Sequence, residues 1–168
     1  ETSPDSASKP VVMLGVISRY PPTIIYRGYQ PIMDYLTSET PYRFELLLSK
    51  DYSEALHLLV TNKVSAVFLG TYVYIKAHER YAVVPILKPL NENLKPESRS
   101  VLFVRRHSPI TSIKDLGQKK LALPSTESFS SHWLLEYELP RYGLSANDLA
   151  EIHHFSHHHT VIAYVLNG

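Results

Sequence analysis

SIKDLGQKKLALPSTESFSSHWLL, residues Ser112 to Leu135, holds a helical turn, a glycine, a buried strand and a polar helix start in succession, and its reading decides the fold class. Ser112-Ile113-Lys114-Asp115-Leu116 reads as a short helical turn, with Gly117 as the left-handed stop that closes helices. Lys119 and Lys120 lead into Leu121-Ala122-Leu123, an apolar run suited to a buried parallel strand, and Pro124 ends it. Ser125, Thr126, Ser128, Ser130 and Ser131 follow, before a helix whose apolar face holds Trp133, Leu134 and Tyr137. A strand emptying into hydroxyls at a helix start gathers backbone N–H groups, the positive end of the helix dipole and O–H donors around one point. Such a point suits an anion. The competing reading is that these serines only cap the helix, as serine often does.

Upstream of this stretch the chain alternates between strand and helix. Val11 to Ile17 is a continuous apolar run and reads as a first, central strand, broken by Ser18-Arg19-Tyr20-Pro21-Pro22. From Thr23 to Ser38, Ile24, Ile25, Tyr29, Ile32, Met33 and Leu36 fall on one helical face. Pro31 is tolerable only in a first turn or at a kink, so the helix proper is expected from near Tyr29. Arg43 to Leu48 is a second strand. Asp51-Tyr52-Ser53-Glu54 opens a helix capped by Ser49 or Asp51, which Asn62-Lys63 ends. Val64 to Leu69 is a third strand, Gly70 leads into a helix through about Glu79, and Tyr81 to Leu87 gives a fourth strand. Connections too long for hairpins argue for a parallel sheet with helices on both faces, so the chain is α/β.

Pro89 to Pro96 is polar and turn-rich, and Ser100 to Arg105 reads as a strand crossing into a second lobe. Beyond it come the strand Leu121 to Leu123, a helix from Ser130 to Arg141, a strand from Glu151 to Phe155 and a last helix from Thr160 to Leu166. The expected organisation is a disordered leader over residues 1–10, a first lobe over 11–99, a crossover over 100–111 and a second lobe over 112–168.

Composition narrows the classes of function. Lys plus Arg number 17 against 16 Asp plus Glu, so no bulk field favours nucleic acid or an anionic membrane, and an anion must be held locally. An apolar fraction of 44% is ordinary for a globular domain, and no run of about 18 apolar residues could form a membrane span. The absence of cysteine excludes disulfides, thiolate metal sites and thiol nucleophiles. The small-polar, proline-bounded start, Glu1 to Pro10, resembles the sequence left after signal cleavage or lying between an anchor and a domain.

Five pieces, taken in order, carry a family resemblance. They are YQPIMDYL (Tyr29 to Leu36), DYSEAL (Asp51 to Leu56), VSAVFLGTYVY (Val64 to Tyr74), SRSVLFVRRHSPITSIKDLGQKKLAL (Ser98 to Leu123) and FSHHHTVIAYVLNG (Phe155 to Gly168). With these the chain resembles the phosphate, phosphite and phosphonate binding family of type II periplasmic binding proteins, the PhnD-like group. The resemblance implies two α/β lobes around a cleft that holds a small oxyanion through hydroxyls and backbone N–H groups. It also implies an extracytoplasmic location and service to an ABC permease or a membrane sensor kinase. By the same resemblance Tyr52 and Tyr74 reach in from the first lobe, and Ser128, Ser130, Ser131, Ser156 and His157 from the second. Two departures stand out: His158 occupies a place usually acidic, after Ser-His, and Ser128-Phe129-Ser130-Ser131 replaces a Ser-Thr-Ser-Gly helix start. Family members also continue past Asn167-Gly168, so the second lobe is expected to be incomplete, with a second copy of the chain covering what is left open.

Arg19 and Tyr20, at the end of the first strand, lie where α/β folds place ligands, and Arg19 is a candidate anion partner. His153, His154, His157, His158 and His159 form a cluster in which His153, His157 and His159 offer a metal site as an alternative to a loop of partly exposed imidazoles with His157 at the cleft. Strand alternation puts His153 and Phe155 on one face and His154 on the other. At the cleft, His157 would strengthen anion binding as pH falls through about 6.5. Asp34, Asp51, Asp115 and Asp148 sit in helix-forming or capping contexts and read as structural. No phosphate loop, nucleophile elbow or dinucleotide fingerprint occurs, so neither cofactor nor catalysis is expected. The rival from another class is an enzyme on the same binding fold, such as a pyrimidine-synthesis relative.

Overall fold

The computed structural model describes residues 9–167. Its first sheet joins β1 (Val11–Val16), β2 (Arg43–Leu48) and β3 (Ala66–Phe68), all parallel in the order β2-β1-β3. β1 is central because it is apolar throughout, and its last residues are buried. α1 (Pro22–Glu39) and α2 (Tyr52–Val60) follow the first two strands, and α3 (Thr71–Tyr81) follows the third. One core packs Leu14, Val16 and Leu46 against Ile25 and Met33 of α1. A second joins Ile17 to Tyr52, Ala55 and Val73.

A second, two-stranded parallel sheet pairs β4 (Lys120–Pro124) with β5 (Glu151–Phe155). Its separate core holds Leu116, Leu121, Leu123, Leu134, Leu139 and Leu149. Between the two strands one continuous helix runs as α4 (Phe129–His132), a π-helical stretch (Trp133–Glu138) and α5 (Leu139–Arg141). Pro140 brings no N–H to the carbonyl four residues back, and the helix widens in the turns that lead to it. α6 (His158–Asn167) follows β5, two residues longer at its start than the Thr160 expected from periodicity.

Several expectations are corrected by the fold. α1 begins at Pro22 rather than near Tyr29 and runs through Pro31, whose missing N–H falls on an exposed face where solvent serves the freed carbonyl. Gly117 has φ −51°, and the left-handed residue is Gln118 at φ 57°, held there by its own N–H and Nε2 donating to the Asp148 carbonyl at 2.7 and 3.2 Å. Tyr81 to Leu87 forms no strand. Ala82, left-handed at φ 53°, closes α3, and beyond it Pro85 and the absence of a partner ladder leave Ile86 84% exposed. Ser100 to Arg105 likewise pairs with no strand and forms a wall of the cleft described below. Most of the expected leader, residues 1–10, lies outside the described residues. Its end is fixed rather than disordered, because Lys9 Nζ donates to the Thr37 and Thr40 carbonyls at the end of α1 and the Pro10 carbonyl accepts from the Arg43 N–H.

The four aspartates are structural, as read. Asp51 caps α2 through the Glu54 N–H, and Asp115 and Asp148 each accept from the backbone N–H of a helical N-cap, Ser112 and Ser145, while Asp34 accepts from Gln30. Thr111 and Ser112 N–H groups hold the Asp115 carboxyl below the usual carboxylate range, and Ser145 does the same for Asp148.

Close approach of β1 to β3 requires Gly15. A Cβ there would lie 3.0 Å from Val67 Cγ2 and 3.3 Å from Val64 Cγ2. Gly15→Ala is therefore expected to lower stability by about 1–3 kcal/mol through overpacking. Urea unfolding measures it, and an unchanged midpoint would show that Val67 moves aside freely.

Candidate functional site

Every strand is parallel to its neighbours, so all the connections that leave the C-terminal strand ends of a sheet gather on one edge, where α/β folds place ligands. From the first sheet these are Arg19-Tyr20 after β1, Tyr52 after β2 and Gly70-Thr71 after β3. From the second they are Ser128 to Ser130 after β4 and His158 after β5. All of them line one cleft of about 1580 Å³ between the sheets, with the extended segment from Ser98 to Ser108 along one side.

Tyr52 is the centre of the site. Its ring is 3% exposed and belongs to the core of the first sheet, while its hydroxyl lies 3.3 Å from His158 Nε2 at the start of α6. Burial pushes the Tyr52 phenol up, against the opposing pull of Arg19 and of a hydrogen bond with Ser128. The His158 backbone N–H donates to the Arg19 carbonyl at 3.3 Å, and its ring meets Tyr20 at 6.3 Å between centroids. Burial first, and then the Arg19 guanidinium, hold the His158 imidazole below its ordinary pKa. Ser128, itself buried, shares a 2.9 Å hydroxyl bond with Ser130. Two phenols, two hydroxyls, an imidazole and a guanidinium thus come from both sheets to one place. They can donate to an anion.

Sequence reasoning named Arg19, Tyr20, Tyr52, Ser128 and Ser130, and the fold brings these five to the cleft. Tyr74 does not line it: its ring lies along α3 against His78, at 5.9 Å. Ser131 is turned inward, 1% exposed, its hydroxyl donating to the Pro124 and Ser125 carbonyls at 3.0 and 3.1 Å, so it braces the turn after β4. Ser156 faces a smaller cavity of about 200 Å³, with Lys50, Asp51 and Thr126. His157 stacks on His159 at 5.5 Å with its Nδ1 buried and unpaired, and its neighbour His158 occupies the cleft in its place. Periodicity gave no signal for His158: α6 starts two residues before the expected Thr160, and that start turns position 158 toward Tyr52.

The metal alternative is also corrected. His153 bonds Glu151 at 2.8 Å and packs with Phe155 around Tyr164, and His154 Nδ1 donates to the Pro124 carbonyl on the opposite face. His153 is thus engaged apart from the His157 and His159 pair. Among the described residues no three histidine or carboxylate side chains converge as a metal site. None of the helices among them is long and apolar enough to cross a membrane.

Similarity to known proteins agrees with this geometry. The sequence model of the family described as "ABC transporter, phosphonate, periplasmic substrate-binding protein" matches residues 14–168. Among solved structures, the fold is similar to a binding protein component of an ABC phosphonate transporter from Pseudomonas aeruginosa, with a TM-score of 0.80 and 17% identity over 95% of this chain and 54% of that one. It is similar to PhnD1 from Prochlorococcus marinus, solved with methylphosphonate, with a TM-score of 0.68 and 17% identity over 92% of this chain and 59% of that one. A third likeness, to the periplasmic aliphatic sulphonate binding protein SsuA from Escherichia coli, has a TM-score of 0.59 and 18% identity over 96% and 52%. At such identities these structures speak for the fold, and the chain spans a little over half the length of each. The match over residues 14–168 settles the kinship: this chain belongs to the family of periplasmic substrate-binding proteins of phosphonate ABC transporters.

Proposed function

We propose that the chain binds a small phosphonate, or a closely related oxyanion, in the cleft between its two sheets and delivers it to an ABC permease outside the cytoplasm, without catalysing a reaction. In this reading residues 11–99 and 112–168 are the two lobes, residues 100–111 are the crossover, and closure of the lobes reports occupancy. The observation that carries it is the meeting of the Tyr52 hydroxyl with His158, beside Arg19 and Ser128, because it draws anion donors from both lobes to one point. The family description supports transport over the sensor role.

Thermal-shift measurement tests the reading, since a ligand that binds only the folded form raises the melting temperature. Methylphosphonate at about 100-fold above its dissociation constant is expected to add about 2.7 kcal/mol of stability. No rise with phosphonates, phosphate or sulfonates would sink the proposal.

The pH dependence follows from His158. In the free protein burial and Arg19 disfavour its protonated form, whereas an anion beside Tyr52 favours it. Binding therefore takes up a proton, and affinity rises as pH falls through the range between the imidazole's pKa in the complex and its lower one in the free protein. The groups facing the ring are Tyr52, Tyr20 and Arg19. A His158→Gln variant corrects for titration of the ligand itself, and parallel profiles for the two proteins would remove His158 from contact.

A further inference from the structure

The walls of the cleft are unbalanced in charge. They carry four arginines, two lysines and two histidines against one carboxylate, Glu138. That carboxylate is already engaged: its Oε1 accepts from Trp133 Nε1 at 3.1 Å and lies 3.5 Å from Arg141. The nearby acids are engaged or set aside as well. Asp51 holds the start of α2, Glu151 pairs with Lys120 at 3.0 Å, and Glu127, within Coulombic range of Tyr52, does not line the cleft. A positively charged ligand group would find no free carboxylate among the lining residues.

The polar end of the cleft opposes positive charge on its own account. His158 sits there beside Arg19, and its imidazole resists protonation because of burial and that guanidinium. A ligand ammonium placed in the same few ångströms meets the same field without relief. Immediately beside this end the lining changes character. Phe129, between Ser128 and Ser130 in the chain, packs on Trp133 at 5.5 Å between centroids, and both rings line the cleft. A hydroxyl pair that grips an anion is thus flanked by aromatic surface suited to an uncharged substituent.

We infer that the cleft selects phosphonates whose substituent is uncharged and apolar, alkyl or aryl, over those that carry an ammonium group, because its polar end, where His158 stands beside Arg19, offers no carboxylate. The inference rests on the phosphonate reading proposed above and names the class of ligand within it.

Propylphosphonate and 2-aminoethylphosphonate are near-isosteres that differ in a terminal methyl against an ammonium, and isothermal titration calorimetry of both at one pH isolates that difference. Propylphosphonate is expected to bind at least tenfold tighter. His158→Asp, which places a carboxylate where the imidazole stands, is expected to narrow or reverse the ratio, whereas His158→Gln leaves propylphosphonate preferred. Thermal melting of each variant checks that it folds, and the ratio for the unaltered protein decides the matter if one does not. Equal or tighter binding of 2-aminoethylphosphonate to the unaltered protein overturns the preference and leaves the phosphonate reading standing. Binding of neither compound overturns the phosphonate reading, and the preference with it.

Discussion

Tyr52→Phe is expected to weaken phosphonate binding by about 10–100-fold, because a hydrogen bond to a charged partner contributes about 1.5–3 kcal/mol. Melting should barely change, since the ring stays in place among Ile17, Ala55 and Val73. Tyr52→Ala separates the two roles of this side chain. Removing a buried aromatic ring costs about 3–5 kcal/mol, so the first lobe should lose much of its stability before any question of binding arises. Calorimetric titration of the phenylalanine variant and urea unfolding of the alanine variant check the pair. Unchanged affinity in Tyr52→Phe would mean that the hydroxyl serves only His158 and never meets the ligand.

Leu139→Ala should have a comparable effect on the other lobe. Leu139 is 0% exposed and packs with Leu116, Leu121, Leu123, Leu134 and Leu149, a core that shares no residue with those of the first sheet. Leucine-to-alanine truncation in such a site costs about 2–5 kcal/mol, the upper end applying where the walls cannot collapse. Trp133 is the single tryptophan of the chain and lies on the helix that carries Leu139, so its fluorescence reports this lobe directly. The fluorescence transition should move to lower urea while much of the helical circular dichroism, carried by α1, α2 and α3, persists. Coincident loss of both signals would show that the lobes unfold as one unit.

Elements whose partners are close in sequence were the most legible. Strands β1, β2 and β4 announced themselves by short apolar runs between turn residues, and the cap of α2 could be narrowed to Ser49 or Asp51 because an N-cap acts within three residues. Tyr81 to Leu87 was misread for the opposite reason. Its composition is that of a strand, but strand formation depends on a neighbouring edge, and no periodicity reveals whether one is present. Pro31 misled in a similar way, since the penalty for proline inside a helix depends on whether the freed carbonyl faces solvent.

At the cleft, Arg19 was legible because α/β topology sends strand ends to one edge, Ser128 because hydroxyls cluster at a helix start, and Tyr52 only through the family resemblance. Residues within the helices were harder. One step along a helix rotates a side chain by roughly 100°, so choosing His158 over His157 needs a helix start known to one residue. Ser131 was lost to the backbone: its hydroxyl satisfies carbonyls of the turn, a demand that the sequence gives no sign of.

The amide of His158 and the carbonyl of Arg19 join the halves through main-chain atoms, 3.3 Å apart. Because every residue but proline supplies that amide, the tie is indifferent to which side chains stand at either position. Side chains at positions 19 and 158 can therefore be exchanged to alter recognition while this main-chain link between the two banks is kept.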